Sequence, residues 1–179
     1  MKQCEMGRFT QMKEVIGEKV DLLIEKRLQK LEKALTSKEE NIWRDLESVL
    51  RELTSDKKEG SLVISFLRSS YITNNQEFYI AYYEEEPFVE EEPDCIYFNM
   101  KRAFSGIEED WNEIDEVLHQ KFIRVFAGEK EEIHRWYMGR IYIALENIMK
   151  TAVEKMHKIG AITVYYGGYM EEIKAVGSI

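Results

Sequence analysis

Cysteine, proline and glycine are scarce in this sequence: two, two and ten of 179 residues. Two thiols, Cys4 and Cys95, cannot build the disulfide framework of a small secreted fold, and their spacing is not that of a metal site. Both are expected to be free. So little proline and glycine leaves scant material for long irregular loops. The chain therefore reads as one domain over residues 1–179, with residues 1–36 able to form an N-terminal helical arm. Long apolar runs are missing as well. Ile141–Leu145 is among the longest, about a quarter of a bilayer span, and the N-terminus lacks the apolar core of a signal peptide. A cytoplasmic protein with no membrane partner is predicted. Basic charge is in deficit, 25 Lys and Arg against 34 Asp and Glu, giving a net charge of −9 and a pI near 5.0. Affinity for a polyanion comes chiefly from Lys and Arg neutralising phosphates, so nucleic acid is not an expected partner. Catalytic fingerprints are absent too: there is no Gly-rich phosphate loop, GxSxG, CxxC pair or HExxH.

The densest feature that is present is acidic. Residues 84–94 read EEEPFVEEEPD, seven carboxylates in eleven residues, with both prolines, Pro87 and Pro93, and no basic residue. Proline rigidity and like-charge repulsion exclude a central strand or a helix interior, so an exposed acidic loop is expected. Its apolar island, Phe88 and Val89, is a candidate partner-binding tip, because an apolar side chain amid charges can anchor a protein.

Apolar residues recur at helical spacing in four places. Met12, Ile16, Val20, Ile24, Leu28, Leu31 and Leu35 make a long amphipathic helix. Its narrow stripe suits packing either on its own domain or on a second copy, as in a homodimer. Ser37 with Glu40 reads as a capping box for a second helix carrying Ile42, Trp43, Leu46, Val49, Leu50 and Leu53, stopped by a polar stretch ending at Gly60. Ser105 with Glu108 reads as another capping box, opening a helix with the stripe Phe104, Ile107, Trp111, Ile114, Leu118, Phe122 and Val125 that ends at Gly128. A last helix is predicted from Lys130 to Ile159, with Gly160 as its C-cap. The short link at Gly128 makes these two an antiparallel helical hairpin.

Strand character lies elsewhere. Between Ser61 and Tyr83 only Arg68 and Glu77 are charged, while β-branched and aromatic residues dominate. A hairpin turning at Asn74-Asn75 is predicted, with Tyr71 opposite Phe78, Leu67 opposite Tyr82 and Arg68 opposite Ala81. Cys95–Phe98 adds a short strand, and a second hairpin is expected around Gly167-Gly168. The fold class is thus α+β: an antiparallel sheet from two β-hairpins packed against the long helical hairpin, with two leading helices. Tyr71, Phe78, Tyr82, Tyr165, Tyr166 and Tyr169 are read as core packing ahead of a ligand-stacking face.

All three histidines follow a glutamate by three residues, as Glu116/His119, Glu131/His134 and Glu154/His157, the spacing used in di-metal helix bundles. Helical phase keeps His134, about 20° from the apolar centre of its helix, and removes His157, about 160° away. Asp115 and His119 lie about 40° and 80° from the centre of the preceding stripe. Antiparallel packing offsets His119 and His134 by about 5 Å along the axis. Asp115, His119, Glu131 and His134 are therefore the candidate ligands for a divalent metal, or a proton-transfer cluster. The plainer reading is an Asp–His pair that fixes how two helices pack. Two functions follow. The first is a non-enzymatic interaction or regulatory module that binds another protein or its own copy through the first helix and through Phe88 and Val89. The alternative is a metal-dependent enzyme or small-ligand sensor built on the Asp/His cluster.

Overall fold

Two long helices lead the chain, α1 (Lys2–Thr36) and α2 (Asn41–Thr54), followed by β1 (Glu59–Phe66), the helical turn α3 (Ser70–Thr73), β2 (Glu77–Tyr83) and β3 (Asp94–Asn99). Then come α4 (Ile107–Lys121), α5 (Ala127–Lys155), β4 (Ala161–Gly168) and β5 (Ile173–Ser178). The computed structural model describes residues 2–73, 75–89, 92–158 and 160–179, without the side chains of 2–6, 71 and 72. Asn74 of the expected turn, Glu90 and Glu91 of the acidic loop and Ile159 of the last helix lie outside the described residues, as do the side chains of Cys4 and Tyr71. Among the described residues no helix is long and apolar enough to cross a membrane.

The strands form one sheet in the order β3-β2-β1-β4-β5. The expected all-antiparallel sheet is corrected here: β1 pairs parallel with β4, and the other three pairings are antiparallel. The cause is the path of α5. It delivers the chain beside the start of β1, where Ala161 N–H donates to Lys58 O at 2.8 Å, so β4 must leave in the direction of β1. The β1/β2 register is also corrected. Phe66, Leu62 and Val63 face Phe78, Tyr82 and Ala81, each five positions earlier than the expected partners Tyr71, Leu67 and Arg68. The connection is α3 and not a two-residue turn. Its hydroxyls bond to backbone, Thr73 to Ser69 O at 3.0 Å and Ser70 to Glu77 O at 3.3 Å, an alternative that Ser and Thr offer to a sheet ladder.

Helix ends move for similar local reasons. Neither Ser37 nor Ser105 caps a helix; the N-cap positions are Glu40 and Gly106. α4 ends well before Gly128, and that glycine lies in the first turn of α5. There the Glu129 carboxylate accepts the Phe126 N–H at 2.8 Å and fixes the start. α4 and α5 run antiparallel, tied through side chains by Asp115–Lys130 and Asp110–Tyr137, while α1 is the helix that packs closely on each of them.

The helices cover one face of the sheet. Leu62, Ile64, Phe78, Ile80, Tyr82, Val164 and Tyr166 join the buried side chains of α1, α2, α4 and α5 in one core. Met12, Ile16, Val20, Leu31 and Leu35 of α1 are fully buried in it. The first stripe is therefore used within the chain, α1 lying antiparallel to α4 (Lys19–Glu113, Arg27–Asp110) and parallel to α5 (Arg8–Glu129, Asp21–Arg140). Tyr142 of α5 is the aromatic hub. Its ring stacks on Phe66 at 4.7 Å and 12°, near Phe104 at 5.5 Å and Phe78 at 5.8 Å, and its carbonyl accepts the Tyr166 hydroxyl at 2.9 Å.

One charged cluster sits inside this core. Arg27 and Asp110 are 1% and 0% exposed. Arg27 Nε and Nη2 reach Asp110 Oδ2 at 2.8 and 2.6 Å, and the guanidinium also donates to the carbonyls of Ser105 and Gly106. Gly106 is left-handed at φ 89°, and a β-carbon there would lie 2.6 Å from Arg27 Nη2. Gly106→Ala is thus expected to lose about 2 kcal/mol or more from backbone strain and displacement of Arg27. Urea denaturation measures it, and an unchanged midpoint would contradict the assignment.

Candidate functional site

Among the described residues, no helix packs on the other face of the sheet. Strand alternation sends Val63, Tyr79, Ala81 and Tyr83 to that side. They form a second, smaller cluster with Leu67, Phe88, Tyr165 and Ile173, and none of these residues belongs to a helix. What covers the centre is the acidic loop between β2 and β3. It folds Phe88 back onto the face, edge-on to Tyr83 at 5.7 Å and to Tyr169 at 6.4 Å. Phe88 is left-handed at φ 66°, a costly backbone state for an aromatic residue that packing must hold in place. Ser65 on the same side is fully buried, and its hydroxyl has no hydrogen-bond partner among the described residues.

Around this lid the face stays open. Tyr97 is 61% and Tyr169 43% exposed, and Val89 beside Phe88 is 60% exposed. Tyr79 joins them: its ring centroid lies 5.5 Å from Tyr97 and 5.0 Å from Tyr169, so rings run without a break from Tyr97 through Tyr79, Tyr169 and Phe88 to Tyr83. Burial first, then a hydrogen bond with Cys95, raises the Tyr79 pKa above the ordinary tyrosine value. Its hydroxyl stays neutral through the physiological range.

The rim is acidic. Lys57 sits at the base of the loop, 3.3 Å from Asp94 and 3.8 Å from Glu84, and its hydrogen bond to Asp94 raises its pKa. One lysine thus ties both ends of the loop, while Glu86 and Glu92 between them are exposed. Across the face, Glu171 and Glu172 lie in and beside the β4/β5 turn, Glu171 holding Arg68.

The sequence-derived metal candidates find other partners. Asp115 pairs with Lys130, whose Nζ lies 2.7 Å from Oδ1 and 3.0 Å from Oδ2. His119 is mostly exposed, with Nδ1 at 2.8 Å from the Asp115 carbonyl and 3.5 Å from its Oδ1. Glu131 binds Arg135 at 2.6 Å, one turn along its own helix. His134 packs edge-on to Trp111 at 5.0 Å. Among the described residues no three His, Cys, Asp or Glu side chains are placed to hold a metal ion.

Of the two loop-tip candidates, Phe88 is the half-buried anchor of the lid and Val89 its exposed neighbour. Tyr79 and Tyr97 were not indicated by sequence. The available signal was the run FYIAYY at 78–83: with aromatics at alternating positions on both faces, one set must lie away from whatever covers the other. Compared with known proteins, the chain matches no family model, no curated protein and no solved structure.

Proposed function

We propose that this chain is a protein-binding module that docks its partner on the helix-free face of the sheet. The observation that carries the reading is the meeting of Tyr97 and Tyr169, both exposed, with Tyr79 and Phe88 in one run of rings on that face, next to the exposed Val89. Exposed apolar residues are ordinary when scattered; gathered on one flat surface with a polar rim they have the composition of an interface. Tyrosine suits the role because it brings large contact area with few rotors to freeze. On the helical side the apolar stripes of α1 and α5 are already buried against each other and the sheet.

The test is affinity capture from cells with three baits. Wild type and Ile143→Asp, a change on the 71%-exposed outer side of α5, are expected to retain a common partner. Tyr97→Asp is expected to retain it at least about tenfold less, the effect of one interface hot spot. A partner kept equally by Tyr97→Asp, or lost only with Ile143→Asp, would sink the reading.

A further inference from the structure

We infer that the partner presents a cationic surface, with lysine or arginine side chains seated between the exposed tyrosine rings and the acidic loop. This rests on the reading of the helix-free face as a docking surface, and it adds the chemistry of the occupant. The chain carries net charge −9, and seven of its carboxylates fall within residues 84–94 without a basic residue among them. Lys57 meets that segment at its two ends, Glu84 and Asp94. The described middle of the loop, at Glu86 and Glu92, is exposed; the Glu86 carbonyl accepts the Val89 N–H at 3.3 Å, and Phe88 between them packs on the rings of Tyr83 and Tyr169. Carboxylates beside open tyrosine faces match an ammonium or guanidinium group twice over. Coulomb attraction steers the approach, and the ring quadrupole holds the cation once it is partly desolvated. The same field repels a nucleic acid or an acidic protein.

Fluorescence anisotropy of a labelled oligo-arginine peptide with the full chain tests this. Binding is expected to weaken with added salt. The variant Glu85→Gln/Glu86→Gln/Glu92→Gln should weaken it about tenfold, and Tyr97→Ala about threefold. Glu14→Gln/Glu18→Gln/Glu25→Gln on exposed α1 positions removes the same charge elsewhere and should change it less than about twofold. Unchanged thermal melting shows that each variant is folded. Equal weakening by both triple variants would mean that net charge alone attracts the peptide and would overturn the inference, as would no binding at all. The partner captured above separates the two ideas. If Tyr97→Asp loses it and the loop variant keeps it, the docking face stands and the cationic occupant falls; if both keep it, both fall.

Discussion

Arg27→Ala is expected to lower the stability of the chain by about 3–5 kcal/mol, the cost of leaving a buried charge without its partner. Asp110 is fully buried. Its Oδ2 accepts from Arg27 and from the Tyr137 hydroxyl at 2.7 Å, while Oδ1 has no hydrogen-bond partner among the described residues. There is no reserve of donors to take over when the guanidinium is removed. The carbonyls of Ser105 and Gly106 lose a donor in the same step, at the point where α4 begins without a side-chain cap. Arg27→Met with Asp110→Leu should recover most of the loss, because replacing both charges removes the desolvation cost that breaking one exposes. A single variant within about 1 kcal/mol of wild type in urea denaturation would refute the claim that this pair holds α1 to α4. Alkali acts on the same cluster through Tyr137. Burial, and next the hydrogen bond to Asp110, hold its folded pKa above the ordinary value. The stability it contributes is therefore intact below about pH 10, where the unfolded tyrosine begins to ionise, and is lost as pH rises further toward the folded pKa.

That cluster was legible and was missed. Arg27 falls in phase with Val20, Leu23 and Leu31, and Asp110 in phase with Ile107 and Ile114, so two opposite charges each interrupt an apolar stripe. The sequence reading instead examined Asp115, which pairs with Lys130. Counting carboxylates and imidazoles as ligands leaves out the cation that most often meets a half-buried aspartate. The helices themselves were readable, since periodicity is local. The parallel β1/β4 pairing was not, because nothing in either strand chooses its neighbour; the choice is made where α5 ends. The proposed docking face was half readable. Composition marks Phe88 and Val89, but which face of β2 stays open depends on where α1, α4 and α5 come to rest, and no alternation pattern states that.

The two faces of β2 are proposed to divide stability from binding, and one pair of variants tests it. Phe78 points into the helical core, fully buried, with ring centroids 5.8 Å from Tyr142, 6.3 Å from Phe104 and 6.4 Å from Tyr166. Phe78→Ala leaves a cavity among rings fixed on three elements, where neighbours can relax only in part, and is expected to cost about 3–5 kcal/mol. Tyr97, paired with Tyr79 on the opposite face and 61% exposed, gives up little burial. Tyr97→Ala should change stability by no more than about 0.5 kcal/mol while weakening partner capture. Chemical denaturation of the two variants side by side decides between arrangements. A large loss at Tyr97 would mean that the open face is itself part of the folding core and not available as a surface, whereas a small loss at Phe78 would mean that the helices do not seal the other side.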